Sequence, residues 1–164
     1  MGIRILTSLA FGAAMILATA ASAQTPAPPP SYGSPGVTIA QARKAVEAAE
    51  AEAAKNNWKM AIVVVTNEGD LILFNRMDDA QFGSSDVAIR KAKTAAAFRR
   101  PTKVFQDAVM ATPPALPILT LGAIAVEGGL PLVAGGKIIG AIGCSGGTAA
   151  EDGQACRAGA ATIQ

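Results

Sequence analysis

The chain has no histidine, few aromatic residues (4%) and a low share of charged ones (16%). Without imidazole it lacks the usual base for a serine nucleophile, as well as the commonest metal ligand and the commonest haem ligand. That absence decides how one motif is read. Gly143-Cys144-Ser145-Gly146-Gly147 matches G-x-S-x-G letter for letter, with an apolar run before it and a helix expected after it. With no histidine to take the serine proton, a serine hydrolase is rejected, and turn glycines explain the same letters more simply than a Ser–Lys pair. Charge of one sign is missing too. The formal net charge is +2, which gives no general case for a nucleic-acid partner.

Residues 1–23 read as a secretory signal. Arg4 supplies the positive start, ILTSLAFGAAMILA (5–18) the apolar region, and Ala21-Ser22-Ala23 an A-x-A cleavage site. The apolar run is short for a bilayer span, so no membrane anchoring is expected once the signal is removed. The expected location is periplasmic or secreted. Residues 24–36, rich in proline, glycine and small side chains, read as a tether. Residues 37–164 form one domain, long enough to bury a core. Export permits a disulfide between the only two cysteines, Cys144 and Cys156. Two buried free thiols are the other reading, and the one expected here.

Thr38-x-x-Gln41 is a capping box opening a helix to about Lys55, with Ile39, Ala42, Val46, Ala49 and Ala53 as its apolar stripe. Met60–Thr66 and Leu71–Arg76, joined by Asn67-Glu68-Gly69-Asp70, predict a hairpin. Ser84, Ser85 and Asp86 predict the start of a second helix, from about Asp86 to Arg99, and a short helix follows Pro101, from about Thr102 to Met110. The apolar run 118–126 reads as a strand. Leu130–Ala134 and Lys137–Cys144 form a second hairpin about Gly135-Gly136. Thr148-x-x-Glu151 caps a last helix to about Ile163. The fold class is therefore α/β, an α+β sandwich with an antiparallel sheet of about five strands covered by helices.

Two features could carry chemistry. Ser145–Thr148 leads into a helix N-terminus, but Glu151 and Asp152 already complement its dipole, so capping is the default over an anion site. The second is a basic run of Arg90, Lys91, Lys93, Arg99, Arg100 and Lys103 with no acid among them. A solvated helix face is the ordinary meaning of such a run. Yet Lys91, Thr94 and Phe98 share one helical face, a cation, a hydroxyl and a ring that suit the carboxylate edge of a flat apolar ligand.

Val87-Ala88-Ile89-Arg90-Lys91-Ala92-Lys93-Thr94-Ala95, followed by Phe98-Arg99-Arg100-Pro101-Thr102, resembles a characteristic segment of the GlcG/HbpS-like family. So do Gly128-Gly129-Leu130-Pro131-Leu132 and Lys137–Gly146 with Asp152 behind them. The resemblance spans about residues 37–164. It implies a profilin-like fold, a homo-oligomer, and in some members haem binding or extracellular haem sensing. It also implies pocket residues: Lys91, Thr94 and Thr102, with Gly128 and Gly129 as the facing backbone wall, to which Phe98 and Arg100 are added from the basic, aromatic face. Haem is thus the expected cofactor, with no catalytic residue assigned. Having no histidine, the chain would need Met, Cys, Tyr, Lys or a hydroxyl as ligand, or hold haem without strong coordination. Met60, Met77 and Met110 are read as gap-fillers.

The leading expectation is an exported haem- or tetrapyrrole-binding protein without turnover. The alternative is an enzyme for a small carboxylate or hydroxy acid, with Glu127 or Asp152 as acid–base group. A structural or interaction module is the third.

Overall fold

A computed structural model describes residues 36–163. The expected signal, and the tether up to residue 35, lie outside the described residues. Nine elements follow in order: α1 (Ile39–Lys55), β1 (Ala61–Val65), β2 (Leu71–Arg76), α2 (Phe82–Phe98), α3 (Lys103–Met110), a 3-10 helix η1 (Leu116–Leu121), β3 (Gly129–Ala134), β4 (Lys137–Ser145) and α4 (Ala149–Ala160). The sheet is antiparallel with order β2-β1-β4-β3.

Every residue of β1 is buried, and its alternation sorts the helices into two layers. Ile62 and Val64 face the cluster built by α1 and α4 (Ala42, Val46, Ala49, Ala155). Ala61, Val63 and Val65 face α2 through Ala88, Ala92 and Ala95. Alanine lets α2 lie close to the sheet, so close that a Cβ at Gly143 of β4 would run into the Ala88 carbonyl. The β3–β4 turn uses Gly135 at φ 54° and Gly136 at φ 74°, the backbone that a two-residue hairpin turn needs.

Both capping boxes form as expected, on Thr38 with Gln41 and on Thr148 with Glu151. Four expectations need correcting. The sheet has four strands, because 118–126 forms η1 and an irregular loop: Pro117 opens the 3-10 turns and Gly122, at φ 71°, ends them. Helix α2 begins at Phe82, so Ser84 and Ser85 lie inside its first turn and do not cap it. Ile39 of the expected α1 stripe is half exposed, and Ala45 takes its place inside. Cys144 and Cys156 form a disulfide with Cα atoms 5.6 Å apart, where free thiols were expected. The end of β4 and the second turn of α4 lie one layer apart, which is the separation a disulfide spans.

Candidate functional site

The resemblance residues meet in two places. The first is a packed knot against the middle of α2. Lys91 has no exposed surface, although it sits in the middle of the basic run. Its ammonium donates to Asp152 Oδ2 at 2.5 Å and to the Cys144 carbonyl at 3.2 Å. Asp152, on α4, accepts at Oδ1 from the Gly147 amide at 2.9 Å. Burial pushes the Lys91 ammonium below its ordinary pKa and the Asp152 carboxyl above its own, and each partner works against the other's shift.

Gly128 and Gly129 close this knot. Gly128 has φ 122°, and a Cβ there would come within 2.8 Å of the Lys91 Nζ. The Gly128 carbonyl accepts from the Cys144 amide at 2.8 Å. The Gly129 amide donates to Thr102 Oγ1 and its carbonyl accepts from the Thr102 amide, both at 2.9 Å. Thr102 is fully buried. Lys91, Thr102, Gly128 and Gly129 are therefore brought together, but as mutually satisfied interior groups rather than as a wall facing solvent.

The second place is a surface cleft of about 220 Å³ lined by Arg90, Lys93, Thr94, Ala97, Phe98 and Gly122. Thr94 Oγ1 accepts from the Ile124 amide at 3.1 Å, which ties α2 to the loop after η1 and sets the cleft's width. Phe98 packs edge-on against Phe105, ring centroids 5.1 Å apart, so its orientation is fixed. Arg90 reaches only an exposed contact with Asp86 at 3.9 Å, worth little in solvent. Arg100 stands in the turn after α2, where its Nε donates to the Phe98 carbonyl. Of the expected pocket residues, Thr94 and Phe98 line this cleft. Arg90 and Lys93, read from sequence as a solvated face, line it as well; their place in the basic run was the signal for them.

The two proposed acid–base carboxylates are both engaged. Glu127 is buried, with Oε1 2.7 Å from Arg157 and its amide donating to Gln106. Asp152 is held by Lys91. Met60 sits in the core, Met77 packs against it and Met110 is exposed, as gap-fillers and surface residues do. The described residues contain no cluster of metal-ligating side chains. None of their helices is long and apolar enough to cross a membrane.

Residues 37–161 match the family model described as haem degrading protein HbpS-like. A 15.0 kDa protein from the dhaT-dhaS intergenic region of Citrobacter freundii is 40% identical over 119 residues, covering 71% of this chain and 84% of that protein. Protein GlcG of Escherichia coli K12 is 40% identical over 103 residues, covering 61% of this chain and 74% of GlcG. Among solved structures, HbpS superimposes with a TM-score of 0.72 at 31% identity, covering 80% of this chain and 92% of HbpS. A PduOC:haem complex superimposes with a TM-score of 0.71 at 27% identity, covering 79% of this chain and 96% of that one. The sheet, the layers of helices and the sequence match agree, and the chain belongs to the HbpS-like family.

Proposed function

We propose that this protein binds a flat, anionic tetrapyrrole such as haem at the cleft beside α2, without turnover, after export from the cytoplasm. The observation that carries this reading is the cleft itself: two exposed cations, Arg90 and Lys93, at the edge of an apolar and aromatic wall of Ala97 and Phe98. Cations beside an apolar face suit a ligand whose carboxylates project from a flat ring. The solved PduOC:haem complex, of the same fold, supports haem over other flat anions.

The side chains fit haem in part. Its acidic edge has partners and its ring has a face to rest on. No imidazole exists in the chain, and both cysteine sulfurs are tied in the disulfide. We read haem as held by its periphery, with the lining residues orienting the ring and neutralising its carboxylates. The cleft, at about 220 Å³, is below the roughly 300–1,000 Å³ of an enclosing ligand pocket. Such a site leaves much of a tetrapyrrole uncovered by one chain, which agrees with the expectation of a homo-oligomer. Glu127 and Asp152, the acid–base groups of the enzyme alternative, are both held in ion pairs, with Arg157 and Lys91.

A hemin titration of the purified protein, followed by absorbance, tests this. Saturable growth of a bound-haem band is expected, with affinity falling at least about tenfold in Lys93→Glu and in Phe98→Ala. Linear, non-saturating spectra, or equal affinity in all three proteins, would reduce haem to nonspecific adsorption.

A further inference from the structure

A second cavity, of about 340 Å³, lies at the C-terminal end of α2 and is lined by Asn67, Ala96, Ala97, Arg99 and Ile138. It shares Ala97 alone with the cleft beside Phe98. Its volume falls within the roughly 300–1,000 Å³ of small-molecule pockets. Two of its residues are in states that the fold does not require. Asn67 Oδ1 is closed to solvent and has no hydrogen-bond partner, which is rare for a buried polar atom. The β1–β2 turn does not call on it, because Thr66 does that work. Thr66 Oγ1 accepts from the Glu68 and Asp70 amides at 3.2 and 3.1 Å, and its carbonyl accepts from the Gly69 amide. Rotation about χ2, which is soft in asparagine, carries the Asn67 oxygen toward the cavity. Arg99 caps α2 at φ 55° and ψ 35°, the left-handed backbone that favours glycine. It is exposed and forms no ion pair among the described residues. A position suited to glycine thus carries the only charge among the lining residues.

We infer that this cavity binds a small aliphatic α-amino acid, with its carboxylate on Arg99 and its ammonium on the Asn67 carbonyl oxygen. A guanidinium presents paired donors that match a carboxylate. Asn67 Oδ1 needs a donor, so a plain carboxylate would leave it as it is. The end of α2 selects an ammonium over a hydroxyl. The last turn of α2 contains no basic residue, and with Arg99 turned to a carboxylate the negative end of the helix is left to a second cation. Ala96 is buried and Ile138 half-buried, so the rest of the wall takes an aliphatic side chain and offers a charged one no partner. The inference does not rest on the proposed haem cleft, since neither Asn67, Arg99 nor Ile138 lines it.

Titration of the purified protein with L-valine, followed by amide chemical shifts in NMR, tests this. Saturable shifts are expected below about 10 mM, centred on Asn67, Ala96, Arg99 and Ile138. Three matched probes each remove one group: 3-methylbutanoate lacks the ammonium, 2-hydroxy-3-methylbutanoate replaces it with a hydroxyl, and L-valinamide lacks the carboxylate. Each is expected to bind at least about tenfold more weakly than L-valine. Arg99→Gly removes the guanidinium while relieving the left-handed backbone, so it is expected to melt no lower than the wild type. Its affinity for L-valine is expected to fall at least about tenfold, and that of Asn67→Ala likewise. No saturation with L-valine, or shifts centred elsewhere, would overturn the site. Equal affinity for the hydroxy acid or for 3-methylbutanoate would overturn the amino-acid assignment. Wild-type affinity in a folded Arg99→Gly protein would remove the carboxylate contact on which the inference stands. Because the probe series is read on the wild type, a variant that fails to fold leaves the test intact.

Discussion

Lys91 is the residue whose environment departs furthest from what its neighbours in sequence suggest. Arg90 and Lys93 beside it are solvated, while its own ammonium is buried against Asp152 and a carbonyl. Removing one member of such a pair leaves the other charge buried alone, at a cost of about 3–5 kcal/mol. Lys91→Met is therefore expected to lower stability by that amount in urea denaturation, and Lys91→Met/Asp152→Leu to recover most of it. The pH dependence separates this from a simple packing defect. Asp152 has a folded-state pKa above its unfolded value, chiefly because burial disfavours its charge. A raised pKa contributes stability that is fully present below the unfolded carboxylate range and is lost as pH rises through the folded value. Without the Lys91 cation that raising becomes larger. The Lys91→Met deficit should therefore be greatest near neutral pH and shrink as pH falls below the carboxylate range. A deficit constant from pH 3 to 7 would show that Asp152 does not titrate with folding.

At the scale of elements, the disulfide couples the last turn of the sheet to α4. Cys144 is the last residue but one of β4, and Cys156 lies 12 residues further on. Closing so short a loop restricts the unfolded chain and is worth roughly 3 kcal/mol in the loop-entropy account. The Cys144→Ala/Cys156→Ala variant is expected to melt at a lower temperature by the corresponding amount and to keep its circular dichroism spectrum. A wild-type melting curve in that variant would mean that the bond adds nothing to the stability of the domain. The disulfide also shows where sequence stopped being informative. Both hairpins and both capping boxes were legible because they are local: Asn67–Asp70 and Gly135-Gly136 carry their turn chemistry in adjacent residues, and Thr38 meets Gln41 three positions on. The burial of Lys91 was not legible, because its partner lies 61 residues away and the helical spacing of Lys91, Thr94 and Phe98 is equally consistent with facing out or in. Residues 118–126 misled for a related reason. Their apolar letters match a strand, but Pro117 and Gly122 fix the local backbone, and the leucines that resulted are exposed. The glycine pair 128–129 signalled close approach correctly. What approaches is Lys91 and Thr102 of the same chain.

For the whole molecule, two features that share no residues converge on a location. A positive start, an apolar stretch and an A-x-A site occupy residues 1–23, while the described domain carries its two cysteines as a buried disulfide. Disulfides persist in oxidising compartments and are rare where glutathione keeps thiols reduced. The first buried residue of the described domain, Val37, donates its amide to the Ile139 carbonyl at 2.7 Å and packs with the core of α1, α4 and the sheet. Removal of residues 1–23 is therefore expected to leave the domain intact. Expression of the full chain in a bacterial host with a periplasm should place the product in the periplasmic or culture fraction. Intact-mass analysis should show a chain beginning at Gln24, with no alkylation unless reductant is added first. A cytoplasmic product that retains Met1 or Gly2 and takes up two alkyl groups without reductant would remove export from the proposed function. It would leave the proposed ligand cleft untouched, since Arg90, Lys93 and Phe98 lie on α2, far in sequence from either feature.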